Sequence, residues 1–173
     1  EEGSAGCLST PNVTFWLKNH GLKNRNESLI WGTNSRLDNL QAGFGNIMLK
    51  KIDKWNKIQL NIAKHYSRNL KNLVEIPEYD LNISNPSFHQ YIIKVKYRNK
   101  LKNYLKKNGI DTAIHYPIPI HRQKAFKKQY GTIKLPKTEF YSNKILSLPI
   151  NPYLKKREVD FIIKKIKQFY IFL

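Results

Sequence analysis

From Ser35 onward, apolar residues recur at spacings of three and four: Leu37, Leu40, Phe44, Ile47, Met48, Ile52, Trp55, Ile58, Ile62, Tyr66, Leu70 and Leu73. With about 3.6 residues per turn, this spacing draws one apolar stripe along an amphipathic helix. Ser35, followed three residues later by Asp38, fits the start of that helix. Unbroken to Leu73, it would be about 55 Å long at about 1.5 Å per residue, longer than a small domain is wide. The spacing therefore predicts a helix that bridges two bodies. Gly43 and Gly45 each cost up to about 1 kcal/mol against alanine in a helix, so a bend or a close backbone contact is expected there.

Beyond Pro77 the period shortens to two. His89, Tyr91, Ile93, Val95 and Tyr97 alternate with Gln90, Ile92, Lys94 and Lys96, which predicts a strand with one apolar face. A short helix from about Asn99 should stop at Gly109, and residues 110–116 should run extended. Two more helices are expected, near residues 137–146 after Pro136 and near residues 155–169. In the second, Val159, Ile162, Ile163, Ile166 and Phe169 form the buried stripe. Between them, residues 147–150 are extended by Pro149. Residues 1–25 carry Gly, Ser and Pro, then Phe15-Trp16-Leu17, with no secure regular element. The fold class is α+β: a long connecting helix and a small antiparallel sheet packed by helices.

Composition narrows the function. The chain has 173 residues, 40% hydrophobic and 12% aromatic, enough for a folded domain with a real core. No apolar stretch approaches the roughly 20 residues of a membrane span, which suggests a cytoplasmic protein. Cys7 is the sole cysteine, which excludes an internal disulfide and a cysteine metal cage. The net charge of +19 would attract phosphates. Yet 25 of the 31 basic residues are lysines scattered over helix faces, without the arginine clusters or stacking platforms of a nucleic-acid reader. Nucleic acid is therefore disfavoured as a partner, and an anionic ligand such as a nucleotide sugar remains suitable. The chain begins at Glu1 and holds one methionine, Met48, so it is expected to be the back part of a longer protein.

The segment His115-Tyr116-Pro117-Ile118-Pro119-Ile120-His121 carries the most chemistry. Alternate prolines hold the backbone extended and remove two donors, so the segment belongs at a sheet edge or cleft, as a ligand wall or as a turn with solvated histidines. Period-two geometry would set His115 and His121 on one face. The five histidines lack helical ligand spacing and acidic companions, so no metal site is indicated. Asn34 and Arg36 flank the start of the long helix. There, free N–H groups and the helix dipole suit a phosphate, and an ordinary helix cap with an exposed arginine accounts for them equally.

Taken in order, Asn19-His20-Gly21, the run from Gly32 to Ala42, Lys54-Trp55-Asn56, Gly109-Ile110 through His121, and Leu146-Ser147-Leu148-Pro149 resemble the C-terminal portion of the DegT/StrS-type nucleotide-sugar aminotransferases. The resemblance implies the C-terminal small domain of a fold-type I pyridoxal-phosphate enzyme. It divides the chain into 1–33, a remnant of the large cofactor-binding domain; 34–75, the linking helix; and 76–173, the C-terminal α+β domain. It also implies pyridoxal 5'-phosphate as cofactor in the complete enzyme, a nucleotide-linked keto sugar and an amino donor, glutamate, as substrates, and a homodimer. Asn34 would reach the cofactor phosphate of the neighbouring subunit, and Arg36 would face the substrate. His115, Tyr116 and His121 would line the sugar-nucleotide cleft, in a form resembling members that act on 3-keto sugars for polysaccharide or related amino-sugar biosynthesis.

Departures from the family pattern matter as much. Gly3-Ser4-Ala5-Gly6 resembles the stretch after the Schiff-base lysine with serine in the acidic position, which sets that lysine upstream of Glu1. The chain alone is therefore expected to be an inactive aminotransferase fragment, with no catalytic residue of its own. Between Thr10 and Asn19 it also looks shorter than its relatives. The alternatives are a pyridoxal-phosphate sugar dehydratase relative, a non-catalytic basic binding or scaffold module, and a product without a stable fold.

Overall fold

The computed structural model of the chain describes residues 22–24, 27–29 and 39–171. In chain order its regular elements are β1 (Leu22–Asn24), β2 (Glu27–Ser28), α1 (Asn39–Leu49), α2 (Ile52–Leu70), β3 (Tyr91–Lys94), α3 (Arg98–Lys107), a 3-10 turn at Ile120–Arg122, α4 (Lys124–Tyr130), α5 (Pro136–Ser142), β4 (Ile145–Leu148) and α6 (Lys156–Ile171). The chain forms two compact units. One joins Glu1–Asp38 with Tyr116–Asn143, and the other joins Asn39–His115 with Lys144–Leu173.

The second unit is built on the antiparallel pair β3 and β4, in the register Tyr91↔Leu148, Ile92↔Ser147, Ile93↔Leu146 and Lys94↔Ile145. Residues directly opposite in such a pair share a face, and successive residues alternate between faces. Tyr91, Ile93, Leu146 and Leu148 therefore fall on one face, and all four are buried. Single bridges extend the pairing on both sides, Glu75 to Lys94 and Ala113 to Ser147. Helix α6 packs against α2 and α3, and α3 also meets β4. Leu101 and Leu105 of α3 lie four apart and are fully buried, and α6 buries Val159, Ile162, Ile163, Ile166 and Phe169, the stripe its sequence predicts. Gly109 takes φ +75° just after α3, a conformation open to glycine without a Cβ clash.

Polar links tie the long helix to the sheet. The Tyr66 hydroxyl donates to the Pro149 carbonyl at 2.9 Å, and Ser67 Oγ meets the Tyr91 hydroxyl at 2.8 Å. The Tyr66 and Tyr91 rings lie 5.1 Å apart. Burial raises the pKa of both phenols, that of Tyr91 to about 12 against the opposing pull of Ser67. Both hydroxyls therefore stay protonated at neutral pH.

The expected single long helix is two. Between α1 and α2 the Lys51 N–H donates to the Met48 carbonyl at 2.9 Å, a tighter three-residue closure, and α-helical bonding resumes from Trp55 N–H to Lys51 O at 3.0 Å. The break falls at Lys50-Lys51 and not at the glycines, and an added Cβ at Gly43 or Gly45 would meet nothing within 4 Å. The apolar spacing continues across the break, so periodicity alone does not reveal it. Burial divides the stripe: Ile62, Tyr66 and Leu70 are buried, whereas Phe44, Ile47, Met48 and Ile52 are exposed.

In the first unit, β1 pairs antiparallel with β2, and α4 packs on β2, with Lys124 Nζ 2.7 Å from Glu27 Oε1. The helix expected over residues 137–146 ends at Ser142, and Ile145–Leu148 is a strand. A short apolar run fits either structure, and burial in the sheet decides it. The strand expected over residues 110–116 pairs through Ala113 alone. Helix α4, rich in lysine and with Ala125 as its buried residue, carries no stripe by which the sequence could announce it.

Arg98 opens α3 and is buried, and its Nε and Nη1 have no hydrogen-bond partner among the described residues. Desolvation lowers its pKa, and its charge sits at the positive end of the helix dipole. Arg98→Met keeps the packing and removes the uncompensated charge. It is expected to stabilise the unit by about 1 kcal/mol in urea unfolding; a loss of that size would show that the guanidinium is compensated.

Candidate functional site

Sheet register places His115. Ala113 and Ser147 exchange both backbone hydrogen bonds, Ala113 N–H to Ser147 O at 3.2 Å and Ser147 N–H to Ala113 O at 2.8 Å. Opposed residues share a face and the strand period is two, so His115 comes to the Ser147 side of the sheet. Its Nδ1 lies 2.8 Å from Ser147 Oγ, and Ser147 is itself buried. The imidazole is thereby held by β4, the strand that also carries the core.

The following residues belong to the first unit. Tyr116 is 65% exposed. Pro119 is extended at φ −61°, ψ 153°, its ring fixing φ, but the chain bends at His115, Pro117 and Ile118, so the expected extended run with period-two alternation does not form. Arg122 N–H donates to Pro119 O at 2.9 Å and closes the 3-10 turn that carries His121.

His121 is only 3% exposed, and its Nε2 lies 3.1 Å from Glu139 Oε1. Arg122 Nη2 donates to Glu139 Oε2 at 2.7 Å, and Leu135 N–H donates to Oε1 at 3.2 Å across the start of α5. These donors, Arg122 first and then His121 and the Leu135 amide, hold the Glu139 carboxyl down to about 2. Backbone bonds seat the residue as well: Ser142 Oγ and Asn143 Nδ2 both donate to the Glu139 carbonyl. Sequence reading missed Glu139. Its signal was available, because it is the only acidic residue between Asp111 and Glu158, a stretch with ten lysines and arginines.

Asn34 and Arg36, the expected phosphate and substrate contacts, lie outside the described residues. Among the described residues no group of three His, Cys, Asp or Glu could hold a metal ion, and no helix is long and apolar enough to cross a membrane. Nor do the described residues fit the aldehyde of a pyridoxal cofactor. A Schiff-base lysine is activated by desolvation, and every lysine from Lys50 to Lys167 is at least partly exposed.

A small antiparallel sheet under three helices, with a proline-rich segment leaving its edge, is the C-terminal architecture of a class of pyridoxal-phosphate aminotransferases. The chain belongs to the DegT/DnrJ/EryC1/StrS aminotransferase family, which matches residues 10–167. It is 33% identical over 154 residues to the dTDP-3-amino-3,6-dideoxy-alpha-D-galactopyranose transaminase of Aneurinibacillus thermoaerophilus, covering 88% of this chain and 42% of that protein. A DegT DnrJ EryC1 StrS aminotransferase from Brucella abortus superposes with TM-score 0.72 at 32% identity, over 96% of this chain and 44% of that one. NtdA from Bacillus subtilis, solved with bound cofactor PMP, superposes with TM-score 0.69 at 28% identity, over 90% and 38%. The chain thus spans about two fifths of the length of these relatives, their C-terminal part.

The Glu139 carboxyl titrates lower folded than its usual value of about 4.3. The stability it contributes is therefore present above the usual carboxylate range and lost as the pH falls toward 2. Urea midpoints recorded between pH 6 and pH 2 should fall more steeply for the natural chain than for Glu139→Gln. Parallel profiles would contradict the hydrogen-bonded carboxylate.

Proposed function

We propose that this chain is the substrate-facing C-terminal part of a pyridoxal-phosphate aminotransferase that moves an amino group, from glutamate, to a nucleotide-linked keto sugar. Family membership across residues 10–167 is the observation that carries this reading. The sugar carbon is C3, in line with the 3-amino sugar in the name of the Aneurinibacillus relative. The pathway is polysaccharide or related amino-sugar synthesis in the cytoplasm.

Within that reading, Tyr116 offers an exposed ring and hydroxyl to the sugar nucleotide, and His115 offers an imidazole whose plane is fixed through Ser147. His121 is buried against Glu139, so it supports the segment from behind. The cofactor supplies the electron sink for amino transfer when bound, and its anchoring lysine is contributed from outside this chain. Asn34 takes the cofactor phosphate at a helix start, and Arg36 faces the substrate. The exposed apolar residues Phe44, Ile47, Met48 and Ile52 suit a covered position in the complete homodimer.

The purified chain is expected to bind UDP or dTDP saturably and more tightly than the bare nucleoside, in calorimetry at about 0.15 M salt. It should catalyse no transamination when supplied with pyridoxal phosphate, glutamate and a nucleotide-linked 3-keto sugar. Binding to arbitrary DNA with a steep salt slope, without competition by nucleoside diphosphates, would instead favour a basic binding module, the reading the +19 charge supports.

A further inference from the structure

Glu139 is the sole negative charge in 46 residues of sequence, counted from Thr112 to Arg157, and its carboxylate meets three donors on three different chain positions. A stretch this basic could have met each donor with a carbonyl or with water. One carboxylate instead joins the 3-10 turn at Ile120–Arg122 to the first turn of α5.

The chemistry of the acceptor settles what its partners must be. An ionised carboxylate only accepts hydrogen bonds, so the His121 nitrogen facing it, Nε2, must carry the proton. The ring is then locked as the Nε2–H tautomer when neutral, with Nδ1 left as the basic atom. Arg122 is tethered through one nitrogen, Nη2, while the side chain remains about a third exposed. Both donors directly follow the proline-rich segment, so their fixation also fixes where that segment ends.

We infer that Glu139 is a positioning residue: it sets the tautomer of His121 and tethers the Arg122 guanidinium, and through them anchors the segment that carries Tyr116. The consequence for ligand binding rests on the sugar-nucleotide reading above; the tautomer does not. Glu139 touches no substrate in this scheme and acts through its two neighbours.

The test uses the full 173-residue chain, labelled with nitrogen-15, and long-range proton–nitrogen correlations of the His121 ring at a pH where it is neutral. The natural chain is expected to show the Nε2–H pattern, and Glu139→Gln a mixture of tautomers. Ser142→Ala, which removes a bond to the Glu139 carbonyl but leaves the carboxylate, should keep the natural pattern and separate positioning from mere stability. Affinity for UDP or dTDP should fall about tenfold in Glu139→Gln, the loss of one charged hydrogen bond, and within about twofold in Ser142→Ala. An Nδ1–H pattern in the natural chain, or an unchanged pattern in Glu139→Gln, overturns the inference. Should Glu139→Gln fail to fold, the natural chain's own pattern still decides. A correct tautomer response with no nucleotide binding supports Glu139 as positioned here and overturns the sugar-nucleotide reading instead.

Discussion

The register between β3 and β4 is the constraint on which the larger unit rests. With Tyr91 opposite Leu148 and Ile93 opposite Leu146, four apolar residues enter the core and Ser147 turns to the other face. A slip of one residue would exchange the faces, setting the Ser147 hydroxyl on the apolar core face and turning Leu146 and Leu148 away from it. At about 1.5 to 3 kcal/mol for each buried leucine, such a slip would cost about 3 to 6 kcal/mol, a large share of the stability of a typical domain. The same register sets Ala113 against Ser147 and so brings His115 to its partner. Core packing and the placement of the first imidazole are thus one decision.

In the smaller unit the corresponding role falls to charge. Its α4 and α5 region carries lysine in abundance, and a single carboxylate organises the turn after the prolines. Lys124 finds Glu27 on β2. Acidic residues are few in this chain, and among the described ones Glu27 and Glu139 each pair with a basic side chain of this unit. That scarcity also argues against reading the net charge as a recognition surface, because the lysines are dispersed over most helix faces.

Much of this was legible beforehand. Helix α6 showed its five buried residues as a clean stripe, and Gly109 marked the end of α3, because burial on one face and a left-handed backbone each leave a one-residue signature. The break at Lys50-Lys51 left none, since the apolar spacing runs through it and neither residue is a helix breaker. Strand β4 was half absorbed into a helix because Ile145 and Leu146 suit both periods. Of the candidate site, His115, Tyr116 and His121 were visible as a motif. Burial separates them, since Tyr116 is exposed while His121 is enclosed, and that depends on contacts from α5 that lie 17 or 18 residues away in sequence. Ser147 stood in a motif without a role, since its bond to His115 exists only across paired strands, and Glu139 was missed although its isolation among basic residues marked it.

The chain spans about two fifths of its relatives' length, and Phe44, Ile47 and Met48 of α1 are exposed in it. The most direct measurement is a crystal structure of the chain, extended by any sequence that precedes Glu1 in its gene, soaked with a UDP- or dTDP-linked sugar. The expected result is sugar-nucleotide density against Tyr116, with His121 still enclosed by Glu139. Density bound elsewhere, with Tyr116 bare, would contradict the assignment of this segment as the substrate wall.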